Sequence, residues 1–93
     1  MTLLLKDPAA TLDYSVDWGA EYLSGDALAG SSWSVEPDEP GGVSVVSSEF
    51  DLLVAAVTVG GGLPGRIYRL ANHVTTAGGL TDSRSIMVRV EKR

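Results

Sequence analysis

The 93-residue chain contains no cysteine. Disulfide scaffolds, zinc ribbons and thiol nucleophiles are therefore excluded. Its one histidine, His73, is too little for a histidine-based metal centre or a histidine-dependent nucleophile. Basic residues are scarce, 7 against 12 acidic ones, and the net charge of −5 offers no dominant cationic surface for nucleic acid. No apolar run approaches the roughly 20 residues of a membrane-spanning helix. Leu3-Leu4-Leu5 is too short for the apolar segment of a secretory signal, and Lys6 follows it where a signal would place charge before it. The expectation is a soluble chain made in the cytosol, with no signal peptide, no membrane partner, no nucleic-acid partner and no cofactor.

What remains is a globular composition, 44% hydrophobic and 20% charged. The length suits one domain over residues 1–93, with one core and modest stability. Charge is uneven: up to Gly60 the chain carries −9, and from Gly61 onward +4. Either the two halves interleave their charges on folding, or the polarity orients the molecule against a partner.

Eleven glycines and four prolines punctuate short stretches rich in Val, Ile, Thr, Trp and Tyr. Such spacing predicts an all-β sandwich or barrel. Tyr14, Val16 and Trp18 alternate with Ser15 and Asp17, as in a half-buried strand. A single helical turn is expected over residues 19–23. Strands follow at 27–35, with Trp33 and Val35 as anchors, and at 43–50, with Val46, Ser48 and Phe50 on one side. The segment 52–59 is nearly all apolar and β-branched, so it wants cover on both faces. A neighbouring subunit or residues 3–5 could supply the second cover. Segments 66–76 and 83–90 form the clearest pair. Tyr68, Leu70, Asn72 and Val74 share a face, as do Ile86, Val88 and Val90. Both inward sets are even-numbered, so facing residues must sum to an even number and the connecting loop must be odd in length. Arg69, His73, Met87 and Arg89 then fall on the outer face.

The segment Leu63-Pro64-Gly65-Arg66-Ile67-Tyr68 resembles the tyrosine corner of immunoglobulin-like sandwiches. A crossing between sheets strands backbone polar groups, and a buried ring with a polar tip can satisfy one while filling the core.

Catalytic arrangements do not emerge. Asp13 and Asp17 lie roughly 13 Å apart along one strand at ~3.3 Å per residue, too far for a retaining glycosidase pair. Glu36, Asp38 and Glu39 lack the ordered spacing of a calcium loop and read as a solubilising turn. Gly60-Gly61-Gly62 lacks the Lys-Ser/Thr of a phosphate loop, and Ser31-Ser32 and Ser47-Ser48 lack a nucleophile elbow. His73 reads as a surface histidine, or else an interface one, and Trp18 and Trp33 as core rather than sugar-stacking platforms.

The run Leu12-Asp13-Tyr14-Ser15-Val16-Asp17-Trp18, the Leu23-Ser24-Gly25-Asp26 turn, Ser32-Trp33-Ser34-Val35 and the stretch from Tyr68 to Gly79 with Thr81-Asp82-Ser83-Arg84-Ser85 resemble a family of small proteins. These are encoded among the structural genes of tailed bacteriophages and prophages, and some are described as fiber–tail adaptors. The resemblance implies a virion role without enzymatic activity, other virion or tail proteins as partners, and assembly in the host cytoplasm before residence in the tail. It supplies no catalytic residues. The expected fold is an antiparallel, immunoglobulin-like β-sandwich of about seven strands, with a small barrel as the alternative. The expected core is Tyr14, Val16, Trp18, Trp33, Val35, Val46, Phe50, Val57, Tyr68, Leu70, Val74, Ile86, Val88 and Val90. Candidate interface residues, for a partner or for self-association, are Arg69, His73, Met87, Arg89, Leu53 and Ala55. The alternative function is a carbohydrate-binding or adhesion module, which would need an exposed aromatic among Trp18, Trp33 and Tyr22.

Overall fold

The computed structural model describes residues 3–21 and 25–92. Seven strands run β1 Leu3–Lys6, β2 Leu12–Asp17, β3 Leu28–Glu36, β4 Val43–Phe50, β5 Val54–Gly61, β6 Ile67–Thr76 and β7 Thr81–Val90, with one helical turn, α1 Trp18–Glu21, after β2. They form two sheets, ordered β1-β7-β6-β3 and β2-β5-β4. All pairings are antiparallel except β1 with β7. The chain crosses between sheets at β1–β2, β2–β3, β3–β4 and β5–β6, so the two inner faces must share one interior.

Alternation explains what fills that interior. In the final hairpin the facing pairs run from Ile67 with Arg89 to Thr75 with Thr81, every sum even, and the connection between the last pair is the odd-length segment 76–80. Tyr68, Leu70, Val74, Ile86, Val88 and Val90 all point inward and are buried. From the opposite sheet Val43, Val57 and Val59 close on them, and Val16, Trp18, Leu28, Ala55 and Val74 make a second cluster. Each fully buried aliphatic side chain is worth roughly 1.5–3 kcal/mol. Tyr14 and Trp33 pack against both clusters, meeting edge to face with ring centroids 6.5 Å apart.

A polar network sits inside this apolar frame. The Trp18 indole donates to Asn72 Oδ1 at 2.9 Å, and Asn72 Nδ2 donates to Ser31 Oγ at 2.9 Å and the Ser32 carbonyl at 3.1 Å. The Arg84 guanidinium lies 5.0 Å from the centre of the Trp18 ring. Trp18 and Asn72 are both buried, so each polar atom needs its partner.

Two core expectations fail. Val46 is 62% exposed and Phe50 44%. The register of β4 shifts between Val45 and Ser47, so Val46 is an extra, bulged residue. Past the bulge Phe50 does face the same side as Ala55, its partner, but β4 is an edge strand and leaves that side open. The expected double cover for 52–59 also differs. Leu52 and Leu53 precede β5 and are exposed, and the strand itself alternates buried Ala55, Val57 and Val59 with half-buried Val54, Ala56 and Thr58. Of residues 3–5, which form β1 in the other sheet, Leu4 packs against the cluster that holds Val57 and Val59, whereas Leu3 and Leu5 are exposed.

Candidate functional site

The outer face of the larger sheet follows from its register. Leu3, Met87, Arg69 and Glu36 make one cross-strand row, Leu5, Arg89 and Ile67 another, and Ser83, His73 and Ser32 a third. The first two rows combine oil and charge: Leu3 is 53% exposed, Leu5 46% and Ile67 48%, around a half-buried Met87. Arg69 Nε donates to Ser85 Oγ at 3.2 Å, and Arg89 pairs with Glu91 at 2.8 Å. His73 Nε2 lies 3.5 Å from Ser34 Oγ on the same exposed face. Arg69, His73, Met87 and Arg89 are therefore brought together on one surface. Leu53 lies far from it in sequence and topology, on the β4–β5 connection, 47% exposed. Ala55 is fully buried, which removes it as a contact residue; as an inward position of the central strand β5 it packs in the core. Ile67 and the leucines of β1 were missed by sequence reasoning. Ile67 was legible, since it shares the odd-numbered outward face with Arg69 and His73.

At one end of this face stands the loop before β6. Tyr68 is fully buried, and its hydroxyl accepts the Leu63 N–H at 3.1 Å and donates to Glu39 at 2.8 Å. Arg66 reaches the other oxygen of that carboxylate at 3.6 Å. Gly65, after Pro64, takes φ +82° to complete the turn. Burial raises the Tyr68 pKa, the Leu63 N–H opposes that shift, and the neighbouring Glu39 adds to it. The acidic loop is thus partly consumed in structure. Among the described residues no group of three or more His, Asp or Glu side chains is placed to hold a metal ion.

The opposite outer face belongs to the smaller sheet. Asp13, Ser15, Ser47, Glu49 and Thr58 line a shallow trough, with Thr58 Oγ1 donating to Asp13 at 2.7 Å. The charge polarity of the sequence is therefore partly expressed as opposed faces, and partly cancelled where Arg66 meets Glu39. Neither tryptophan offers a platform for a sugar: Trp18 is 1% exposed and Trp33 packs against the core. Tyr22 lies outside the described residues.

Comparison with solved structures finds the PKD domain from the KIAA 1837 protein, known from a solution structure, at a TM-score of 0.56 and 19% identity, covering 99% of this chain and 80% of that one. At that identity the likeness shows the fold, an immunoglobulin-like sandwich. No curated protein matches the chain. The family described as podophage GP4 fiber-tail adaptor protein gp77 matches residues 6–89. That span runs from the last residue of β1 to the penultimate residue of β7 and takes in all the strands between, so the chain belongs to this family of phage fiber–tail adaptors and is a tail-associated structural protein of the virion.

Proposed function

We propose that residues 1–93 act as one immunoglobulin-like domain that joins other tail proteins by surface contact alone, catalysing no reaction and engaging neither nucleic acid nor membrane. Assembly takes place in the host cytoplasm, and the domain then remains in the tail. The observation that carries this reading is the outer face of the larger sheet, where exposed Leu3, Leu5 and Ile67 adjoin Arg69 and Arg89. Apolar area beside guanidinium groups is the composition enriched in protein–protein contacts. The lowered pKa values of Asp26 and Asp51 also mark structural use. Asp26 is pulled down first by the Ala27 N–H and further by Thr76 and Gly78, which tie it to the β6–β7 connection, and Asp51 first by the Leu53 N–H and then that of Val54, which close the β4–β5 turn. Repetition of the adaptor around a tail would let individually weak contacts sum to firm attachment.

The test is capture of purified tail proteins from the same virus by the wild-type chain and by a variant carrying Arg69→Glu and Arg89→Glu. Capture should be lost in the variant while its melting temperature stays within a few degrees. Undiminished capture would remove this face from the interface.

A further inference from the structure

Two open sheets leave four edge strands, β1 and β3 in the larger and β2 and β4 in the smaller. An open edge presents unpaired N–H and C=O groups and accepts another strand unless something prevents it. Three of these edges carry such a block. β3 is irregular between Leu28 and Gly30 and runs into Glu36-Pro37. β4 has the bulge at Val46 and the charge of Glu49. β2 exposes the carboxylates of Asp13 and Asp17. β1 differs. Leu3, Leu4 and Leu5 run without bulge, proline or charge, and the charge that follows is turned inward: Lys6 is 2% exposed, with its ammonium donating to the carbonyls of Gly61 and Asp7. Among the described residues, the four-residue length of β1 and the inward charge of Lys6 at its end are its protections, and neither falls on Leu3 or Leu5.

The backbone of β1 is also oriented for pairing. The Lys6 carbonyl accepts the Glu91 N–H at 2.9 Å, so Lys6 turns its polar groups toward β7. Polar groups of successive strand residues project to alternate sides, so Leu4 also serves β7, while Leu3 and Leu5 direct theirs to the open side. Leu3 and Leu5 carry the exposed side chains as well, beside Met87 and Arg89. Leu4 points inward and is only partly buried against the core, so an added strand would complete its cover.

We propose that β1 is a docking edge at which an extended segment of another tail protein adds to the larger sheet as a fifth strand. Its residues beside Leu3 and Leu5 are apolar and two positions apart, matching the outward alternation of the sheet. The inference rests on the adaptor reading and names the contact it uses. A second copy paired β1 to β1 does not suffice. Three aliphatic side chains at about half exposure offer on the order of 250 Å² per copy, far short of the ~1,200 Å² total of a stable interface. A larger partner escapes that limit, because its body can also rest on the face holding Arg69 and Arg89.

Purified tail proteins of the same virus, and overlapping synthetic peptides tiling them, are titrated against the full chain. Leu5→Pro removes an N–H that faces the open side and leaves the ladder to β7 intact. Leu3→Lys with Leu5→Lys places charge on the contact. Each should weaken binding about tenfold or more, and in the wild-type complex the Leu3 and Leu5 amides should become protected from hydrogen exchange. Phe50→Ser, on a distant edge, should bind as the wild type does. If Leu5→Pro fails to fold, the lysine variant and the amide protection decide. Binding of a tail protein that neither variant weakens, with both amides unprotected, overturns the docking edge and leaves the adaptor reading standing. Binding of no tail protein or peptide overturns both. Dimerisation of the chain alone, abolished by Leu5→Pro, would assign the edge to a second copy and overturn the proposal.

Discussion

Tyr68 and Glu39 stand 29 residues apart in sequence and share a hydrogen bond of 2.8 Å between hydroxyl and carboxylate. The same hydroxyl accepts the Leu63 N–H, so one buried oxygen ties the acidic loop before β4 to the loop before β6. Gly42 makes the approach possible: a Cβ there would stand 2.9 Å from the Glu39 side chain and 3.1 Å from the Tyr68 ring. The corner thus holds together two connections between the sheets at the end of the sandwich nearest Arg66.

Tyr68→Phe keeps the ring and removes the tie. It leaves the Leu63 N–H and one Glu39 oxygen without their partner, at a cost of about 1–3 kcal/mol. For a domain of this size that is a fall in Tm of roughly 4–8 °C per kcal/mol. Burial raises the Tyr68 pKa, so folding favours the neutral phenol. The stability this provides is complete below the ordinary value of 10.0 and is lost as pH rises through the raised one. Urea unfolding of the wild type should therefore show a decline above about pH 10 that Tyr68→Phe makes shallower. Equal alkaline slopes in the two proteins would show that the phenol does not govern this decline.

The two tryptophans should respond differently to the same change. Trp18 donates to Asn72 Oδ1 and lies under the Arg84 guanidinium, so Trp18→Phe orphans a buried amide oxygen and loses the cation contact. A cost of about 2–4 kcal/mol is expected from the lost bond and volume together. The buried Trp33 Nε1 has no hydrogen-bond partner among the described residues. Trp33→Phe removes that unpaired group along with some volume, and the two effects offset, leaving a cost of under about 1.5 kcal/mol. Urea midpoints for the two variants, compared at equal m-value, check the order; a larger loss at Trp33 would contradict it.

The final hairpin of the larger sheet was legible because the even positions of 66–76 and 83–90 carry its inward side chains, and parity alone set the even register and the odd loop. The smaller sheet was harder. Nothing in Val43-Ser44-Val45-Val46 marks the bulge, and a single inserted residue switches the inward-facing set from odd-numbered Val43 and Val45 to even-numbered Ser48 and Phe50, with Val46 left out between them. The apolar content of 52–59 suggested burial on both sides, yet small side chains at Ala55 and Ala56 let a modest strand be covered by one sheet and its own neighbours. The candidate site was half visible. Outward Arg69, His73, Met87 and Arg89 follow from the hairpin, whereas Leu3 and Leu5 join them only through the parallel pairing of β1 with β7, a long-range contact that local pattern does not encode.

Gly62 and Gly65 separate crowding from backbone conformation. Both have positive φ, +115° and +82°. A Cβ at Gly62 would stand 2.6 Å from Val90 Cγ2 and 3.1 Å from Val43 Cγ2, two buried side chains of the core, whereas one at Gly65 would meet nothing within 4 Å. Gly65→Ala should therefore cost only the left-handed backbone, about 1–2 kcal/mol. Gly62→Ala must bear a similar strain and also push apart valines with no free space to move into, adding about 1–3 kcal/mol. The expected order is wild type, Gly65→Ala, then Gly62→Ala, read as successive falls in the urea midpoint. A further substitution, Val90→Ala, should recover part of the Gly62→Ala loss by vacating the clashing methyls, so the double variant should lie above the sum of the single losses. Strict additivity of the two changes would show that the steric contact is not the source of the cost.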